Sequence, residues 1–150
     1  MISFAEKKTD MEEAIIDQIP GYEKGKVQYV GATDEVSALF ISAQMVSDLL
    51  NRWNTTTAFF SATGRSGALL ELAKNTSATA RLVAADQKNG KLGAIIRKAV
   101  GMSNRRSVRA VVIEGVPEPD PVSRRTLEMA ARSSGLSVTI VTVDEREQTL

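Results

Sequence analysis

Five short runs rich in Val, Ile, Ala, Thr and Phe alternate along this chain with stretches of about ten or more residues whose apolar positions fall three and four apart. That alternation constrains the fold more than any other feature. Parallel strands cannot be joined by a tight hairpin, and their crossover of about a dozen residues is usually a helix. Buried parallel strands also read as near-continuous apolar runs. The runs are 26–32 (KVQYVGA), 55–62 (TTTAFFSA), 78–85 (ATARLVAA), 107–116 (SVRAVVIEGV) and 136–143 (LSVTIVTV). Right-handed crossovers place helices on both faces of such a sheet. The expectation is therefore an α/β three-layer sandwich with a mostly parallel five-stranded sheet, flavodoxin-like (2-1-3-4-5) or Rossmann-like (3-2-1-4-5) in strand order.

The helical stretches have their own boundary signals. A first helix is expected over 8–19, where Met11, Ala14, Ile15 and Ile19 share a face and Pro20-Gly21 stops it. Thr33 can cap a long helix running to about residue 52, with Val36, Leu39, Phe40, Ala43, Val46, Leu49, Leu50 and Trp53 on its apolar face. Ile41 and Met45 widen that stripe, as in a helix laid centrally on a sheet or covered at a dimer interface. Helices follow over about 65–75 and 90–100, the latter ended by Gly101. Asp120-Pro121 opens the last helix, which stops near residue 133 before Gly135. The chain reads as one domain of 150 residues, with 1–24 an N-terminal helix and loop and 145–150 a frayed tail.

Composition excludes several chemistries. There is no cysteine, so disulfides and thiolate catalysis are out and a reducing compartment is expected. There is no histidine, which removes the commonest general base and transition-metal ligand. A metal site would need oxygen ligands and a hard cation such as Mg²⁺ or Ca²⁺. No signal-peptide pattern or apolar run of membrane-spanning length is present, so a soluble, cytoplasmic protein is expected. The composition identifies no cofactor.

In parallel α/β sheets ligands bind beyond the carboxyl ends of the strands, near a reversal of strand order. That rule selects the loops 31–35, 61–67, 85–90 and 114–120. SATGRSG (61–67) leaves an apolar strand and enters a helix. Ser61, Thr63 and Ser66 offer hydroxyls, Gly64 and Gly67 a tight backbone, and Arg65 a charge. With Lys88 nearby, these residues make a candidate phosphate or carboxylate cradle at a helix N-terminus. The alternative is a plain strand-to-helix turn capped by Thr63. The loop matches neither GxxxxGK[ST] nor GxGxxG. GRSG also recurs in sugar-phosphate isomerase domains, but their serine-rich second loop is absent, so no family is assigned.

Asp86 and Glu114 each end an apolar run, where a carboxylate can face the ligand edge and act as acid or base or hold Mg²⁺. Asp34 falls in a helix first turn, where a carboxylate suits the macrodipole, and Asp120 reads as a cap. VVIEG resembles the strand-Glu-Gly opening of a toprim domain, but no DxD follows at a suitable strand end, and toprim chemistry is set aside. A serine nucleophile would lack a histidine base, and there is no GxSxG elbow. No residue is therefore assigned a catalytic role.

Residues 81–109 carry eight basic side chains against one acid, in a chain whose net charge is +1. Beyond Arg81 these are Lys88, Lys91, Arg97, Lys98, Arg105, Arg106 and Arg109. Lys88 and Lys91 sit near a helix start, where the macrodipole disfavours cations. The stretch reads as a solvated face or as a docking surface for an acidic protein or a second copy. Nucleic acid ranks behind these, because aromatics for base stacking and recognition motifs are missing. The leading expectation is a non-catalytic binding or accessory module acting through protein contacts, with a phosphate-bearing ligand at 61–67 as an added role. A small enzyme acting on a phosphorylated substrate and a nucleic-acid accessory protein are the alternatives.

Overall fold

A computed structural model describes residues 22–73, 81–88 and 91–143. The expected helix over 8–19 and the expected tail lie outside these residues, as do 74–80 and 89–90. Five strands alternate with four helices: β1 (Val27–Ala32), α1 (Glu35–Asn51), β2 (Thr57–Ser61), α2 (Ser66–Ala73), β3 (Leu82–Asp86), α3 (Leu92–Arg106), β4 (Ala110–Val116), α4 (Pro121–Ser134) and β5 (Ser137–Val143). All four strand pairings are parallel, in the order β1-β5-β4-β2-β3. The α/β sandwich is thus as expected. Counted from β2, the order reads 2-1-3-4-5, with the chain's first strand in the fifth place at the sheet edge.

Side-chain alternation divides the core into two layers. Phe59, Ala110, Val112 and Val141 pack under α1 and Leu69 of α2. Phe60, Val111, Ile113 and Ile140 pack under Ile95 and Ile96 of α3 and Leu127 of α4. Chain direction reverses between the two layers. β2 leads through α2 to β3 on one side, whereas β4 leads through α4 to β5 on the other. The switch point therefore lies between the carboxyl ends of β2 and β4.

Several expected boundaries move. Asp34, not Thr33, caps α1, its carboxylate accepting from Ser37 N–H at 2.7 Å. The buried face of α1 centres on Ala38, Ser42, Met45 and Leu49, so Val36 and Phe40 point outward and are 56% and 59% exposed. Gly101 does not end α3. A mid-helix glycine costs only about 1 kcal/mol, which packing of the apolar face outweighs. The helix runs on to Arg106 and stops at Ser107, which adopts the left-handed conformation (φ 57°). Residues 102–106 therefore continue the helix beyond the expected stop. The expected cap and stop of α4 agree with the structure: Asp120 accepts from Ser123 N–H at 2.7 Å, and Gly135 closes the helix at φ 76°.

Candidate functional site at the strand carboxyl ends

Asp86, Ser61 and Glu114 lie in register across β3, β2 and β4. Alternation turns all three toward the α1–α2 face, because Ala84, Phe59 and Val112, two residues earlier in each strand, pack there. The 61–67 loop thus leaves β2 between two carboxylates, and each is bonded to it.

Glu114 is wholly buried, as is Ser61. The Ser61 hydroxyl donates to Glu114 Oε2 at 2.6 Å and accepts from Arg65 N–H at 2.8 Å. The Thr63 hydroxyl lies 3.1 and 3.0 Å from Glu114 Oε1 and Oε2. Thr63 is therefore not a helix cap; its side chain turns back to the strand. A buried carboxylate requires such donors, since burying a charge without partners is strongly unfavourable. The backbone closes the same junction, with Ala62 N–H donating to Glu114 C=O at 2.9 Å. Gly115, directly after Glu114, has φ +85° and forms a bulge between β4 and β5. A β-carbon there would stand 2.5 Å from Thr63 Cγ2.

On the other flank, Asp86 accepts from Ser66 N–H at 2.9 Å. The first amides of α2 at Arg65 and Ser66 therefore already hold a hydroxyl and a carboxylate from the chain itself. Arg65 reaches across to Glu35 of α1 at 2.8 Å, a contact the sequence reading had not included. Lys88 lies over Gly64: a β-carbon on that glycine (φ +77°) would run into Lys88 Cε. Gly67 has open space around it. The structure thus gathers Ser61, Thr63, Gly64, Arg65, Ser66, Lys88, Asp86 and Glu114 into one constellation, but its centre is closed to solvent. Among the described residues no group of three or more acidic side chains could hold a metal ion.

Hydrogen bonds from the Ser66 side chain and amide hold Asp86 below the usual carboxylate value of 3.8, and the Lys88 charge adds to the effect. Asp34 and Asp120 are lowered likewise, by Ser37 and Ser123. A depressed folded value means stability that is full above the unfolded value and is lost as pH falls through the folded one. Thermal melts are therefore expected to hold steady from neutral pH to about 5 and to drop below about 4. Asp86→Asn should melt lower at neutral pH and show a shallower acid limb; an unchanged acid limb would remove Asp86 from this role.

A second, open feature lies beside the constellation on the same sheet edge. A cavity of about 590 Å³ separates the start of α3 from the β4–α4 loop, lined by Lys91, Gly93 and Arg97 on one side and Pro117, Glu118 and Asp120 on the other. Its acids are already engaged. Asp120 caps α4, and Glu118 pairs with Arg124 at 2.6 Å. Lys91 and Arg97 form no ion pair among the described residues. Lys98 lies on the same exposed helix, its ammonium 5.9 Å from the centre of the Phe60 ring. Arg109 is exposed just before β4. The backbone places Arg105 and Arg106 in the last turn of α3, so the basic residues 97–106 belong to one continuous helix. No helix among the described residues is long and apolar enough to cross a membrane.

No model of a known protein family matches this chain. No curated protein matches it either.

Proposed function

We propose that this chain is a non-catalytic binding module that acts through protein contacts. One observation carries the reading. The carboxylate and hydroxyl at the switch point, where a doubly wound sheet performs its chemistry, are fully buried and spend their hydrogen bonds on each other. A general base must reach a substrate proton within about 3 Å, directly or through one water. Glu114 instead ties the 61–67 loop to β4. The open cavity and the cations that lack an ion pair among the described residues lie elsewhere, on the α3 side.

The test is selection from a displayed random-peptide library on the immobilised chain. An enriched consensus whose synthetic peptide binds in solution is the expected result. Absence of any enrichment would overturn the reading. A phosphate-bearing ligand at 61–67 is the second reading, favoured by Lys88 over Gly64 and by Arg65 at the start of α2. It requires the phosphate to displace Asp86 from Ser66 N–H. Inorganic phosphate should then raise the melting temperature, and more so in Asp86→Asn; no shift in either protein would dismiss it.

A further inference from the structure

The helical layers differ sharply in charge. α1 and its N-cap carry Asp34, Glu35 and Asp48, with no lysine or arginine before the C-cap Arg52, whereas α3 carries Arg97, Lys98, Arg105 and Arg106 with no acid. α4 packs beside α3 and shares the core beneath it. Val122 and Met129 of α4, seven residues apart, share one helix face and are 75% and 64% exposed. Leu127 and Ala131 hold the opposite face to the core. Arg125 and Arg132, also exposed, flank the Val122–Met129 stripe. Methionine and arginine are enriched at protein interfaces, and methionine adapts its shape to the surface it meets.

From these features we infer that the α3–α4 layer is the docking face for an acidic amphipathic helix of a partner protein. The inference rests on the binding-module reading and names its surface and its partner's chemistry. Charge complementarity selects the partner. An acidic side chain fits the 590 Å³ cavity, where Lys91 and Arg97 form no ion pair among the described residues and the lining acids are engaged by Ser123 and Arg124. The apolar stripe of the partner covers Val122 and Met129, contacts a nucleic acid would leave unused. Among the described residues the exposed aromatic is Phe40, on α1 in the opposite layer, and Tyr29, on this side of the sheet, is partly buried and already covered by Arg124.

The experiment is fluorescence anisotropy on the full chain with two labelled probes. One is a synthetic helix-forming peptide of about 20 residues with a leucine stripe flanked by glutamates; the other is a duplex DNA of similar length. Peptide binding in the micromolar range is expected. Lys91→Glu with Arg97→Glu should weaken it about tenfold or more, and Val122→Ser with Met129→Ser by several-fold. Arg52→Glu, on the other layer, should leave it unchanged, and circular dichroism melts check that each variant is folded. The proposal is overturned if the peptide fails to bind or if the α3 and α4 variants bind it as wild type does. It is also overturned if DNA binds more tightly, with a steep salt slope indifferent to the serine pair. A library consensus lacking acids, unaffected by these variants, would sink this docking face while leaving the binding-module reading intact.

Discussion

Glu114→Ala is expected to destabilise the fold by about 3 kcal/mol and to lower its melting temperature by roughly 10 °C. The substitution leaves the Ser61 and Thr63 hydroxyls without their acceptor, one in a wholly buried position and one partly so. Each unpaired buried donor costs about 1–3 kcal/mol. Removing a desolvated charge returns part of this, so the total stays below the simple sum. Ser61→Ala acts on the same network from the other end, because it removes the acceptor of Arg65 N–H as well as the donor to Glu114. The two substitutions should therefore fall short of additivity by about 1 kcal/mol or more in urea unfolding. A Glu114→Ala cost under about 1 kcal/mol would show that the junction is held by its backbone bonds alone.

The second large effect is expected at Gly115. Alanine there meets two obstacles. Its φ of +85° costs an L-residue about 1–2 kcal/mol, and its methyl group would stand 2.5 Å from Thr63 Cγ2. Thr63 cannot turn aside cheaply, because rotation would break its bonds to both Glu114 oxygens. Gly115→Ala should thus cost about 2–3 kcal/mol. Thr63→Ser removes the obstructing methyl and keeps the hydroxyl, so in that background the cost should fall by about 1 kcal/mol. Equal costs in both backgrounds would mean that the clash is relieved by the backbone. Gly64→Ala gives a useful contrast. Its obstacle is the far end of the exposed Lys88 side chain, which can move, so only the backbone penalty of about 1 kcal/mol should remain.

The layered architecture was legible because it follows from local periodicity. Strand-like runs such as 107–116 and helix-like runs such as 33–52 are each encoded within a few turns of chain. Strand order was not legible. It depends on pairings between distant segments, and nothing in VQYVGA indicates that β1 belongs beside β5. Gly101 misled for a different reason: glycine ends a helix where a left-handed residue is needed, and here Ser107 supplies that conformation six residues later. The loop at 61–67 and the carboxylates Asp86 and Glu114 were readable as neighbours of a strand edge. The direction of Glu114 was not, since a residue at a strand end can face solvent or lie under the following helix. Val122 and Met129 give no signal of their own, because PVSRRTLEMAA does not say which of its apolar side chains face the sheet, and only the packed position of α4 reveals that these two face outward.

The placement of β1 also governs how this protein can assemble in time. Among the described residues its one neighbour in the sheet is β5, with Val27 opposite Val138, more than a hundred residues later. During synthesis β1 therefore waits for β5 to emerge before this pairing can form. The β2–β3–β4 unit can form earlier, because its crossovers are short and local. Non-local pairings of this kind slow folding and lengthen the exposure of open strand edges. Loss of β5 would therefore leave β1 without this pairing, so a deletion at 137–143 would be felt more than a hundred residues away.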